Sequence, residues 1–126
     1  MGNFDIDLDF GQIYEEKVRN IFEGDGSIEV KTERDIWAST GNMALEIRCR
    51  GELSGLSITD AKWWIHIFTI DGDMKYMLAL QVSKLRKIIK YMFLNDLAHI
   101  IKGGDDDESQ MVLAPIRLLI DIAKKV

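Results

Sequence analysis

Two stretches decide how this chain is read: Ser27-Ile28-Glu29-Val30-Lys31-Thr32-Glu33 and, after a turn-rich gap, Asn42-Met43-Ala44-Leu45-Glu46-Ile47-Arg48-Cys49. In both, apolar and charged residues alternate with period two, the pattern of a strand with one face toward a core and one toward water. On that pattern Ile28, Val30 and Thr32 point one way, and Glu29, Lys31 and Glu33 the other. In the second stretch Met43, Leu45, Ile47 and Cys49 go inward, leaving Ala44, Glu46 and Arg48 on the opposite face. Paired as a hairpin, the two strands would gather Glu29, Glu33 and Glu46 with Lys31 and Arg48 on one surface. Carboxylates gathered in this way repel one another unless cations or a metal ion compensate. The cluster is therefore either a salt-bridged, solvated face, with each pair contributing about 0.2–1 kcal/mol, or a metal site. The first is the more ordinary outcome.

Working outward toward the start of the chain, Phe10, Ile13, Tyr14, Val18, Ile21 and Phe22 recur at helical spacing, with Asp9 placed to cap the start. Such a helix is expected to dock its apolar stripe on the sheet and to end at Gly24-Asp25-Gly26. Glu15 is the residue best placed on it to reach over the sheet edge toward the charged face.

In the other direction, Arg34 to Gly41 reads as a hairpin loop with Trp37 packed across it. Leu53-Ser54-Gly55-Leu56-Ser57 reads as a close backbone turn, and Ser57 or Thr59 as the cap of a short helix running to Lys62. Trp63 to Ile70 is dense in aromatic and β-branched residues, a buried strand that Asp71-Gly72-Asp73 turns into a second strand, Met74 to Leu80. His66 lies inside that apolar run, with no second histidine or cysteine nearby to make a ligand set, and reads as a core residue first.

From Val82 or Ser83 a helix places Leu85, Ile88, Ile89, Met92 and Phe93 on one face and Lys84, Arg86, Lys87 and Lys90 on the other, and then continues or restarts through Ile101. Its basic stripe is an ordinary solvated face that is also the best candidate in the chain for phosphate contact. Asp105-Asp106-Asp107-Glu108 lacks the spacing of a calcium loop and reads as a solvated loop. Met111 to Ala114 suits a last strand, and Pro115 opens a terminal helix through Ile122, with Lys124 and Lys125 at its carbonyl end.

A chain of 126 residues, 47% hydrophobic and 29% charged, fits one domain over residues 1–126: α/β, with a mixed central β-sheet flanked by helices. The formal net charge of −5 argues against binding polyanions through bulk charge, so a nucleic-acid partner needs a local basic patch or metal ions. A lone cysteine, Cys49, cannot form an internal disulfide and fits a reducing compartment. With no apolar run long enough to span a bilayer and an acidic stretch at Asp5 to Asp9, the expectation is a soluble, intracellular, cytoplasmic protein without a membrane partner.

The order helix, strand, strand, short turn, strand, strand, helix, with Ile28-Glu29-Val30-Lys31 in the first strand, resembles the PD-(D/E)xK nuclease superfamily. Glu29-Val30-Lys31 has the form of its ExK element. Gly11-Gln12-Ile13-Tyr14-Glu15 followed by Val18 looks like the helix that supplies an extra acid in its resolvase-type branches. Ile28 to Glu33, Thr40-Gly41-Asn42, Glu46, Gly51, Ser54-Gly55, Ala61 and Trp64 together look like small phage-type members, a likeness spanning roughly Gly11 to Leu85.

The resemblance implies a restriction-endonuclease-like core and hydrolysis of a DNA phosphodiester with Mg2+ or Mn2+, in a phage-encoded protein acting inside a bacterial host. Two assignments stay open. Either Asp25 reaches the metal with Glu29, and Lys31 assists, or Glu29 or Glu33 supplies the first acid and Glu46 the second, with Lys31 acting from the neighbouring strand. The second is preferred, because Asp25 precedes Glu29 by too few residues for a hairpin. Glu15 would complete that set, so the candidate catalytic residues are Glu15, Glu29, Lys31 and Glu46, and the candidate metal ligands across both assignments are Glu15, Asp25, Glu29, Glu33 and Glu46. Arg48, Arg50, Lys62, Lys84 and Lys87 are the candidate DNA contacts, and a homodimer is left open by analogy with nucleases that need two sites for two strands. The alternative is a catalytically inactive module that keeps the nuclease-like sheet as a scaffold for binding or assembly.

Overall fold

The most apolar strand, β4 (Trp63–Ile70), lies at the centre of a three-stranded sheet, with β1 (Ile28–Arg34) parallel on one side and β5 (Asp73–Gln81) antiparallel on the other. The computed structural model describes the backbone of residues 2–23, 27–103 and 107–126, with side chains from Phe10 onward. Asp25, Asp105 and Asp106 lie outside the described residues. The remaining elements are α1 (Gly2–Glu23), α2 (Ile36–Thr40), β2 (Asn42–Cys49), β3 (Glu52–Leu53), a 3-10 turn (Gly55–Ser57), α3 (Val82–Leu94), β6 (His99–Gly103), β7 (Ser109–Pro115) and α4 (Ile116–Ala123). No described helix is long and apolar enough to cross a membrane.

This is an α/β domain, but its strands form two sheets, not one mixed central sheet. The mixed sheet, β1-β4-β5, stands beside a four-stranded antiparallel sheet in the order β3-β2-β7-β6. The β1/β2 hairpin expected from the sequence does not form. Residues 36–40 wind into α2, whose Gly41 cap adopts a left-handed φ of 75°, and Trp37 Nε1 donates to Thr69 O at 2.8 Å. Trp37 also meets Phe68 and Tyr76 edge-on at 5.1 and 5.8 Å between ring centroids. A loop pinned in this way to the β4–β5 hairpin diverts the chain out of the first sheet, so β1 pairs with β4 and β2 pairs with β7.

A second expectation is inverted. Register aligns Glu29 with Trp64, Lys31 with His66 and Glu33 with Phe68, and Trp64, His66 and Phe68 are all buried. The charged face of β1 therefore looks into the molecule, while Val30 on the other face is 52% exposed. Period two specifies alternation but not which phase is inside, and here the apolar partner strand sets the phase. An edge strand can carry charges on its inner face because that flank is still partly wet.

Both sheets and two helices share the core. Met43 and Leu45 of β2, Trp64 and Phe68 of β4, and Val112 and Ala114 of β7 meet Leu85, Ile88 and Met92 of α3 and Leu119 of α4. The α3 face is the one its 3.6-residue spacing indicates, except that Phe93 stays 45% exposed. Beyond Leu94 the chain forms β6, not more helix. The stretch before β4 contains the 3-10 turn in place of the expected helix to Lys62, with Thr59 Oγ1 accepting from Ala61 N. In α1, Asp9 falls inside the helix instead of capping it, and most of the stripe does not dock: Phe10, Ile13, Tyr14, Val18 and Phe22 are exposed and Ile21 alone is half-buried.

A candidate acid and lysine cleft between two sheets

Where β1 and β2 splay apart they leave a cleft of about 240 Å3. Lys31, Thr32 and Glu33 line it from β1, Ala44 and Glu46 from β2, Trp64 and His66 from β4, and Met111 from β7. The two charged segments are thus brought to one place, although they belong to different sheets.

Glu33 is the most constrained acid. Its Oε1 accepts from the backbone N–H of Ala44 and lies 3.0 Å from His66 Nε2. On its other side, His66 Nδ1 is 3.1 Å from Trp64 Nε1. An indole N–H can only donate, so Nδ1 is the acceptor, and the ring carries its proton on Nε2 and gives it to Glu33. The chain Trp64 to His66 to Glu33 to Ala44, buried at its Trp64 and His66 end, joins the two sheets, with a side-chain carboxylate serving a backbone N–H of β2. The sequence placed His66 in the core, and it is there at 1% exposure; its polar partners were not foreseen, because they come from another strand and another sheet.

Glu46 is held differently. Ser109 Oγ donates to its Oε1 at 2.9 Å and also lies 3.7 Å from Cys49 Sγ. Just past Glu46 the β2–β7 register slips, and the freed carbonyl of Ile47 accepts from Ser54 N at 3.0 Å. Bulges re-aim side chains at the edges of sites. Behind this one, Gly55 has φ +51°, and a Cβ there would sit 2.3 Å from Glu46 O, so only glycine lets the 3-10 turn back the Glu46 strand. Ser54 Oγ is buried without a hydrogen-bond partner among the described residues.

Lys31 Nζ lies 3.5 Å from Glu29 Oε1, a half-exposed pair at the mouth of the cleft. Glu15 lies on the exposed length of α1. Among the described residues no group of three or more His, Cys, Asp or Glu converges as a metal cage, so Glu15, Glu29, Glu33 and Glu46 do not assemble into one ligand set. What the cleft offers is Glu33 and Glu46, and no hydrogen bond among the described residues engages the Oε2 of either. Magnesium is commonly held by one or two carboxylates, with waters and substrate oxygens completing its shell. At about 30 Å3 per water, the cleft has room for such a hydrated ion. The residues present therefore fit a hydrated hard cation and not a dedicated protein cage.

The candidate phosphate contacts are scattered. Arg48 Nη1 donates to Gly51 O at 3.3 Å and Arg50 pairs with Glu108 at 2.8 Å. Lys62 is exposed beside the start of β4, and Lys84 and Lys87 are exposed on α3. Arg86, from the same basic stripe, is tied down, donating to Leu56 O at 2.9 Å and Thr59 O at 2.8 Å. Comparison with protein-family models, curated proteins and solved structures found no match to this chain.

Proposed function

We propose that the chain is a divalent-metal-dependent nuclease acting on DNA, with Lys31, Glu33 and Glu46 as its working residues. One observation carries the reading: a lysine and two carboxylates from separate sheets line a single cleft of about 240 Å3. A bound Mg2+ or Mn2+ supplies a Lewis-acid contact to a phosphate oxygen and an acidified water. Glu33, oriented by His66 and Ala44, and Glu46, oriented by Ser109, hold hard oxygen donors toward the cleft. Lys31 offers an ammonium that orients a nucleophile or stabilises charge growing on the phosphoryl oxygens. The reading rests on these residues and not on strand connectivity, which departs from the hairpin that the resemblance implied. It fits a phage-encoded enzyme of a bacterial cytoplasm, where a lone thiol stays reduced.

A second reading has its own observation. Because Glu33 joins the two sheets, the polar chain has a purely architectural use, and the domain would then be an inactive binding or assembly module. Incubating the purified chain with plasmid and branched duplexes plus Mg2+ or Mn2+ separates the two. Cleavage that Lys31→Ala and Glu46→Gln each reduce at least about 100-fold, with folding intact, supports the nuclease. No cleavage, together with no Mn2+ bound in titration calorimetry, leaves the scaffold.

A further inference from the structure

Two apolar surfaces of this chain face solvent, and their shapes match. The first is the α1 stripe, where Phe10 and Phe22 are 61% and 64% exposed and Ile13, Tyr14 and Val18 lie between them on the same face. The second is the outer face of the β1-β4-β5 sheet: Ile28 and Val30 of β1, Trp63, Ile65 and Ile67 of β4, and Met77 of β5, aligned by strand register. None of these six belongs to the core cluster under α3 and α4, which takes the opposite face through Trp64 and Phe68. Val30 and Met77 are each 52% exposed on it, while Ile65 at its centre is 6% exposed. A solvated sheet face normally alternates into polar residues, whereas these six positions carry no charge.

We propose that α1 of one copy lies across the outer sheet face of a second copy, and reciprocally, as a helix-swapped homodimer. Size agrees: the stretch from Phe10 to Phe22 is about 20 Å of helix, and five strand residues by three strands make a patch roughly 17 by 14 Å. In the single chain most of the stripe stays in solvent although its own sheet begins five residues after the helix ends, and a second copy carries an apolar face of the size that the stripe would cover. The exchange is isologous, so it closes at two copies and leaves neither stripe nor sheet face exposed. At roughly 240 Å2 of patch per face, two such contacts bury on the order of 1,000 Å2 in all, the size at which specific interfaces begin. The inference is independent of the nuclease reading, since it uses neither Lys31, Glu33 nor Glu46.

The test is a full-length chain carrying Val18→Cys and Met77→Cys on a Cys49→Ala background, treated with a short bismaleimide and run on a denaturing gel. The swapped dimer gives covalent dimers that need both cysteines. A cross-linked monomer would place α1 on its own sheet, dimers from Val18→Cys alone would place helix against helix, and no cross-link would mean that α1 covers neither; each of these overturns the proposal. Sedimentation equilibrium of the unlinked protein gives the second readout. Val18→Glu and Val30→Glu should each weaken dimerisation at least about tenfold with unchanged far-UV circular dichroism. A protein that is monomeric throughout, or a dimer indifferent to both substitutions, defeats the proposal.

Discussion

Glu33 and Glu46 share one cleft but differ in what depends on them, and substitution should separate the two roles. Glu33→Gln replaces a carboxylate that accepts from both Ala44 and His66. Rotated to keep one of those bonds, the amide presents its NH2 to the other donor. The expected cost is about 1.5–3 kcal/mol of unfolding free energy, the range for hydrogen bonds to charged groups, read from urea denaturation. Glu46→Gln can still accept from Ser109 Oγ through its amide oxygen and should stay within about 1 kcal/mol of the parent, while any Mn2+ affinity in the cleft falls. Equal effects on stability from the two substitutions would mean that the polar chain through His66 does not join the sheets. Gly55 gives a third case at this scale: Gly55→Ala adds a Cβ at positive φ against a backbone carbonyl and should cost about 2–4 kcal/mol.

At the level of elements, the parts legible in the sequence are those whose partners lie close along the chain. The strands flanking Asp71-Gly72 pair as expected because both turn residues take positive φ, 50° and 83°, the geometry such dipeptides favour in two-residue hairpins. The apolar spacing of α3 and the proline opening α4 were legible for similar local reasons. Residues 34–41 and 95–101 were misread, the first as a loop and the second as helix, because their conformations are set from far away. Trp37 is held by Thr69, and β6 exists by pairing with β7. The basic stripe of α3 divides in the same way. Arg86→Met removes two bonds to the carbonyls of the 3-10 segment and should destabilise by about 1–2 kcal/mol, discounted for partial exposure. Lys84→Gln with Lys87→Gln should leave stability within about 0.5 kcal/mol. If those two lysines contact duplex phosphates, the double substitution flattens the slope of log affinity against log salt by about 1.8, at roughly 0.9 per phosphate contact. An unchanged slope removes α3 from the DNA-binding surface.

Across the whole molecule, the segments that build the cleft were visible as charged alternation, and their meeting place was not. Which phase of β1 faces inward is decided by Trp64 and His66 on a strand more than thirty residues later, and no local pattern in Ile28 to Glu33 carries that information. The same inversion leaves Val30 outside, 52% exposed. Every buried side chain of the core cluster comes from Met43 or later, so α1 supplies none of that core. A chain shortened to residues 27–126 should therefore still unfold in one cooperative step, with a free energy at high dilution within about 1 kcal/mol of the intact chain. Concentration is the discriminating variable. Dimerisation through α1 stabilises the folded state by mass action, so the melting temperature of the intact chain should climb as protein concentration rises, while that of the shortened chain stays flat. If removing α1 instead abolishes the cooperative transition, the helix belongs to the interior of its own domain, and the exposed stripe cannot be its working arrangement.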